Sequence, residues 1–146
     1  MMEVFAVAAE ASRSPVQRQG SIGGFDIGIV MKGVLDLQPQ RRGEFLTAIS
    51  KGYQSDNRWS RYASARCSMF FSEDVESLKE GLLRLATDDS DEVQWAALLT
   101  INSFVYKYRS KDGGFSIGEL TELKKGIEDH AKYRPQATAF IERILV

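Results

Sequence analysis

Residues 92–108, EVQWAALLTINSFVYKY, place apolar side chains on nearly every side of a helical wheel. Val93, Ala97, Ile101 and Phe104 recur at helical spacing on one side, and Trp95, Leu98, Leu99 and Val105 fill the others. A helix that is apolar all round has to be covered on several sides, so the rest of the chain must supply its neighbours. The spacing predicts Val93, Ala97, Ile101 and Phe104 buried and Trp95 mostly so.

The neighbours on offer are other helices. The chain has only three prolines, no Asn-Gly hairpin and no sustained alternation of period two, so strand signals are nearly absent. Residues 3–12 read as a short first helix, followed by a polar, glycine-rich loop at 13–24 and a helix at 25–37 that carries Gly28 and Gly33. Pro39 suits a helix N-terminus, and Phe45, Ile49 and Tyr53 then step by four. Ser55, Asp56 or Asn57 can cap the next helix, whose inner stripe is Trp59, Ala63, Cys67 and Phe70.

Ser72 reads as the cap of a helix with Glu73, Asp74 and Glu76 in its first turn and Val75, Leu78, Leu82, Leu83 and Leu85 on its apolar side. Carboxylates in that position favour the helix dipole. Ser90 or Asp91 caps the apolar helix, so the acids at 88–92 suit a helix start. Ser116 and Glu119 form an S-x-x-E capping box for a helix over 117–132, and Pro135 opens a last one bearing Ala139, Phe140, Ile144 and Leu145. The expectation is one all-α domain over 1–146, with seven to eight short helices stacked as antiparallel pairs.

The junction LLRLATDDSDEVQWAALLTI at 82–101 resembles the hinge of a HEAT repeat, in which a leucine-rich first helix meets an acidic turn and a V-x-x-x-A second helix. The matching positions are Leu82, Leu83, Asp89, Val93 and Ala97. Shifting the chain by 34 residues sets Trp59 under Val93, Ala63 under Ala97, Phe70 under Phe104 and Ile49 under Leu83. The arginine usual after the valine is replaced by Gln94 and Ser60. The resemblance covers residues 40–106 and implies a HEAT-like α-α superhelix, a fold whose extended groove is its usual functional surface.

Composition narrows the function classes. At 43% hydrophobic and 27% charged residues the chain is ordinary globular material. The single cysteine, Cys67, excludes an internal disulfide framework and fits a reducing compartment. No apolar run reaches the roughly 18 residues that span a bilayer. Glu3 stands where a secretory leader would be basic, so a cytoplasmic protein is expected. The net charge of −1 hides an asymmetry: residues 1–70 hold nine Lys/Arg against six Asp/Glu, and residues 71–146 hold ten against fourteen. The excess is densest over 73–92, where eight carboxylates face only Lys79 and Arg84.

No constellation amounts to an active site. Residues 108–119 are similar to an EF-hand loop, with Ser110, Asp112, Gly113, Phe115, Ser116 and Glu119 in register, but Tyr108 stands where that family needs an acid. A glycine turn plus the capping box explains the same residues, so no calcium, other metal or cofactor is expected. His130 is the only histidine and lies on a charged, solvated face; pairing with Asp129 or Glu128 would be needed for a general base. The glycines of GSIGGFDIG lack nucleotide-loop spacing.

Two surfaces are left. Glu76, Glu80, Asp88 and Asp89 exceed what helix starts require and can attract a basic protein. Arg58, Arg61, Tyr62 and Arg66 can hold phosphates with an aromatic for stacking, which makes nucleic acid the alternative partner. The sequence therefore points to a non-enzymatic protein-binding module, of the inhibitor or immunity type, that covers a basic enzyme such as a nuclease.

Overall fold

A computed structural model describes residues 32–108, 114–130 and 134–145. After a helical stretch at 32–37 come six α-helices: α1 (Arg42–Gly52), α2 (Arg58–Ser68), α3 (Val75–Leu85), α4 (Asp91–Tyr108), α5 (Ile117–Glu128) and α6 (Pro135–Leu145). No strand occurs among the described residues, and the fold is all-α. The helix expected at 3–12, the loop at 13–24 and residues 25–31 of the next helix lie outside the described residues. The described residues divide after Phe71 into two compact units.

In the first unit α1 pairs with α2. Asn57 is the cap that α2 uses: its Oδ1 accepts the Trp59 N–H at 2.8 Å. Phe45, Ile49, Tyr53, Trp59, Ala63 and Cys67 are buried, as their spacing predicts. Phe70 is only half-buried, and Phe71 takes the interior position instead. The chain kinks there within a 3-10 segment, Met69–Asp74, because Phe71 leaves helical geometry (φ −119°, ψ 39°) to turn its ring inward. That segment delays α3 to Val75, so Ser72 does not cap it. The Arg42 guanidinium lies 4.8 Å from the Phe71 ring centroid.

In the second unit α3 pairs with α4, α5 pairs with α6, and α6 also lies against α4. Leu78, Leu82, Leu85, Val93, Leu98 and Ile101 form the heart of this core. Each such side chain contributes about 1.5–3 kcal/mol through burial. The capping box is present as read: Ser116 Oγ accepts the Glu119 N–H at 3.0 Å, and Glu119 Oε1 accepts the Ser116 N–H at 3.0 Å. α5 ends at Glu128, four residues short of the expected 132.

The burial pattern recurs between the units, with one change of register. Ser60, Ala63, Ser64 and Cys67 of α2 are buried, and so are Gln94, Ala97, Leu98 and Ile101 of α4, each 34 residues on. In the first helices of the pairs the matching offset is 33: Phe45 and Ile49 correspond to Leu78 and Leu82. Leu83, the expected counterpart of Ile49, is half-buried.

Candidate protein-binding surfaces

The acids between α3 and α4 are organised from the far end of the unit. Arg134, immediately before α6, sends Nη2 to the carbonyl of Asp89 at 2.6 Å and Nη1 to the carbonyl of Asp88 at 3.4 Å. The same guanidinium donates to Gln94 Oε1 and pairs through Nε with the Asp91 carboxylate. Gln94 turns its amide N–H to the Ala86 carbonyl at 2.8 Å. A cation thus serves the acidic turn from 40 and more residues away, with Gln94 beside it.

Asp88 is engaged within the turn, while Asp89 touches His130 and keeps its carboxylate largely open to solvent. Asp88 Oδ1 accepts the Ser90 N–H at 2.9 Å, and Asp89 Oδ1 lies 3.2 Å from His130 Nε2. His130 is thus half-buried and paired rather than solvated, because the last turn of α5 delivers it to this turn. Only Glu76 and Glu80 of the acidic set stand on open helix surface. Glu76 lies 3.3 Å from Lys79 Nζ.

Lys79 also reaches Glu119 at 3.3 Å and sits 5.8 Å from the Phe115 ring centroid, bridging α3 to α5. Burial raises the Glu119 carboxyl, but the Ser116 donors and Lys79 outweigh it and hold the group below its usual value. The carboxylate that would close an EF-hand loop is thereby engaged in a cap and an ion pair. Ser110, Asp112 and Gly113 lie outside the described residues. Among the described residues no group of three or more acids, histidines or cysteines can hold a metal.

Beyond that bridge α3 and α5 diverge around an open groove of about 630 Å³. Its floor is Leu83, Thr87 and Leu123, and Gly118 and Gly126 bare the backbone of α5 along one wall. Arg84, Glu119 and Glu122 stand at its margin. Glu76 and Glu80 precede Leu83 and Thr87 on the same face of α3, by helical spacing.

The arginine face is not assembled as the sequence suggested. Tyr62 is 6% exposed, its ring packed edge-on against Trp59 with centroids 5.7 Å apart, so it offers no stacking surface. Arg58, Tyr62 and Arg66 step by four along α2, yet only Arg58 of the three is exposed. Arg61 Nη1 donates to the Ser55 carbonyl at 2.8 Å and the Asp56 carbonyl at 3.2 Å, closing the turn before α2. Arg58 lies over Trp59 at 5.0 Å, and Arg66 is half-buried.

Trp95 departs from expectation in the other direction. It is 41% exposed, its ring 5.1 Å from that of Phe140, beside an open groove of about 670 Å³ lined by Gln136, Ala139, Glu142 and Arg143. Among the described residues α4 lies against α3 and α6, and Phe140 of α6 meets the Trp95 ring. Cys67, by contrast, is fully buried, and burial pushes its thiol up to about 12, which leaves it unreactive.

No protein-family model, curated protein or solved structure matches this chain. No described helix is long and apolar enough to cross a membrane.

Sequence reasoning missed the groove between α3 and α5. Its signal was the stretch GELTELKKG, where Gly118 and Gly126 lie eight residues apart and share a helix face. The role of Arg134 left no local signal.

Proposed function

We propose that this chain is a non-enzymatic protein-binding module whose α3–α5 groove receives a basic segment of another protein. The observation that carries the reading is the groove itself: Leu83 and Leu123, the bare backbone of Gly118 and Gly126, and Arg84, Glu119 and Glu122 at its edge. An apolar slot with Glu122 at its edge, approached along a face of α3 that bears Glu76 and Glu80, suits an amphipathic helix with Leu- or Met-like anchors and Lys or Arg on that side. Glu76 and Glu80 would act mainly on encounter, since exposed rim charges change association rate more than residence. Asp88 serves the turn through Ser90, while Asp89, whose side chain is 73% exposed, stays with Glu76 and Glu80 in the partner-binding set.

The paired helices and the recurring burial pattern support a HEAT-like stack as the scaffold. An inhibitor or immunity-type protein covering a basic enzyme, such as a nuclease, is the form of partner binding that the acidic margin suits. Nucleic acid is disfavoured, because Tyr62 and Arg61 are withdrawn from the face that would have held it.

The test is affinity capture from the native cell with three baits. Wild type should retain a partner of high isoelectric point. Gly126→Phe, which projects a ring into the groove, and Glu80→Lys combined with Glu122→Lys should each lose it. A partner retained by both variants, or one that is acidic, rejects this reading.

A further inference from the structure

One turn past Gly126, the only imidazole of the chain stands beside the acidic turn that follows α3. His130 Nε2 lies 3.2 Å from Asp89 Oδ1. At the other end, Lys79 joins the starts of α3 and α5 through Glu119. The two helices thus run in the same sense and are tied at both ends, with the groove between the ties. Thr87 and Gly126 line its last stretch, where a Cβ added to Gly126 would lie 3.7 Å from the Thr87 methyl group. Asp89 and His130 stand just beyond them.

The charged groups at this corner come from four elements. In the turn, Asp88 accepts the Ser90 N–H, and the 73% exposed Asp89 carboxylate meets the imidazole. Asp91 of α4 pairs with Arg134, which precedes α6 and directs its other donors to the Asp88 and Asp89 carbonyls and to Gln94. At the end of α5, Glu128 lies 3.6 Å from Lys124, and Lys125 and Asp129 are exposed. Carboxylates, ammonium and guanidinium groups ordinarily hold one charge between pH 5 and 8, whereas an imidazole changes its own there. The one thiol, Cys67, is pushed up to about 12 by burial. Across that range, pH therefore acts on this face through a single side chain.

Resting on the groove reading above, we infer that His130 grades the binding of the basic partner with pH, weakening it when the imidazole is protonated. Protonation carries the chain from a net charge of −1 to zero and places the new charge at the end of the groove. There it pairs with Asp89, which is withdrawn from the partner-binding carboxylates, and it repels the partner's cations. Solvent reaches both side chains, so the change amounts to about two- to fivefold in affinity, and to more at low salt.

The test uses the full chain and a probe of constant charge. An acetylated, amidated peptide of leucine and lysine alone, patterned as an amphipathic helix, keeps its charge from about pH 5.5 to about pH 8. At low salt it should bind about two- to fivefold more tightly at the higher pH. His130→Gln, neutral throughout, should show the high-pH affinity at both values. His130→Lys should show the low-pH affinity at both. Either variant decides the matter alone if circular dichroism shows that the other has not folded. By reciprocity, binding near pH 6.5 should expel part of a proton from wild type and none from the variants, read by calorimetry in two buffers of different ionisation enthalpy. A wild-type affinity that does not change with pH, or a pH dependence that persists in His130→Gln, overturns the inference and leaves the groove standing. A peptide that binds at neither pH, or binds Gly126→Phe as well as wild type, overturns the groove reading and the pH grading with it.

Discussion

Arg134 and Asp89 meet across 45 residues of chain, with an Nη2 proton of the arginine directed at the aspartate's carbonyl oxygen, 2.6 Å away. The contact is to backbone, so the acidic turn is held by its main chain while its carboxylates face outward or pair locally. Together with Gln94 and Asp91, it ties the start of α4 to the approach of α6.

Removing the clamp should be costly. The Arg134 side chain is only 19% exposed, and Arg134→Met leaves the Gln94 amide oxygen and two carbonyls without their donor. We expect a loss of about 2–4 kcal/mol in urea unfolding, with Arg134→Lys intermediate because an ammonium cannot span the same acceptors. A variant that unfolds at the wild-type urea midpoint refutes the clamp.

What was legible beforehand was local. Ser116 and Glu119 announce their capping box because every partner lies within four residues. Ile49, Ala63 and Ala97 announce their burial through helical period alone. Leu82 and Leu83 are adjacent and identical in chemistry, so only the packing of α3 decides which one faces the core. The all-round apolar pattern of α4 points Trp95 inward, yet a helix with neighbours on two sides still has an open one. Tyr62 lies among arginines in the sequence, which points it outward, but aromatic burial decides its place. Arg134 finds its acceptors 40 and more residues away, a distance that no spacing rule reaches.

The packing of α4 is tested at Ala97, which is fully buried. Ala97→Asp places a carboxylate where there is no room for it and no water. The variant should lose about 3 kcal/mol or more of stability, or fail to fold cooperatively. Thermal melting followed by circular dichroism reads this directly. An unchanged melt means that this face of the helix has been assigned wrongly.

Cys67 gives a pH dependence at the alkaline end. Its thiol is raised by burial from 9.0 to about 12, so the folded chain holds the proton where the unfolded chain releases it. The resulting stability is complete below about pH 9 and is lost as pH rises toward 12. Native protein at pH 8 should react with a thiol reagent only at its unfolding rate, and denatured protein at once. Rapid labelling of the native chain would contradict the burial.

Glu119 makes the opposite prediction at the acid end and also tests the EF-hand resemblance. Its folded carboxyl is held below the usual 4.5, so its contribution is present above that pH and lost as pH falls through the folded value. Glu119→Gln retains a side chain able to close the capping box but removes the charge that faces Lys79. Wild type should therefore be the more stable at pH 7, and the gap should close as the solution is acidified through the folded carboxyl's lowered titration range. With Lys79→Met in the background, the gap should be smaller at every pH, since one of the groups favouring the carboxylate is gone. Millimolar calcium should leave the wild-type melting temperature unchanged, because this carboxylate already serves a cap and a lysine. A gap that persists undiminished in acid would show that charge is not its origin. A calcium-dependent rise that disappears in Glu119→Gln would show that the carboxylate leaves Lys79 for an ion.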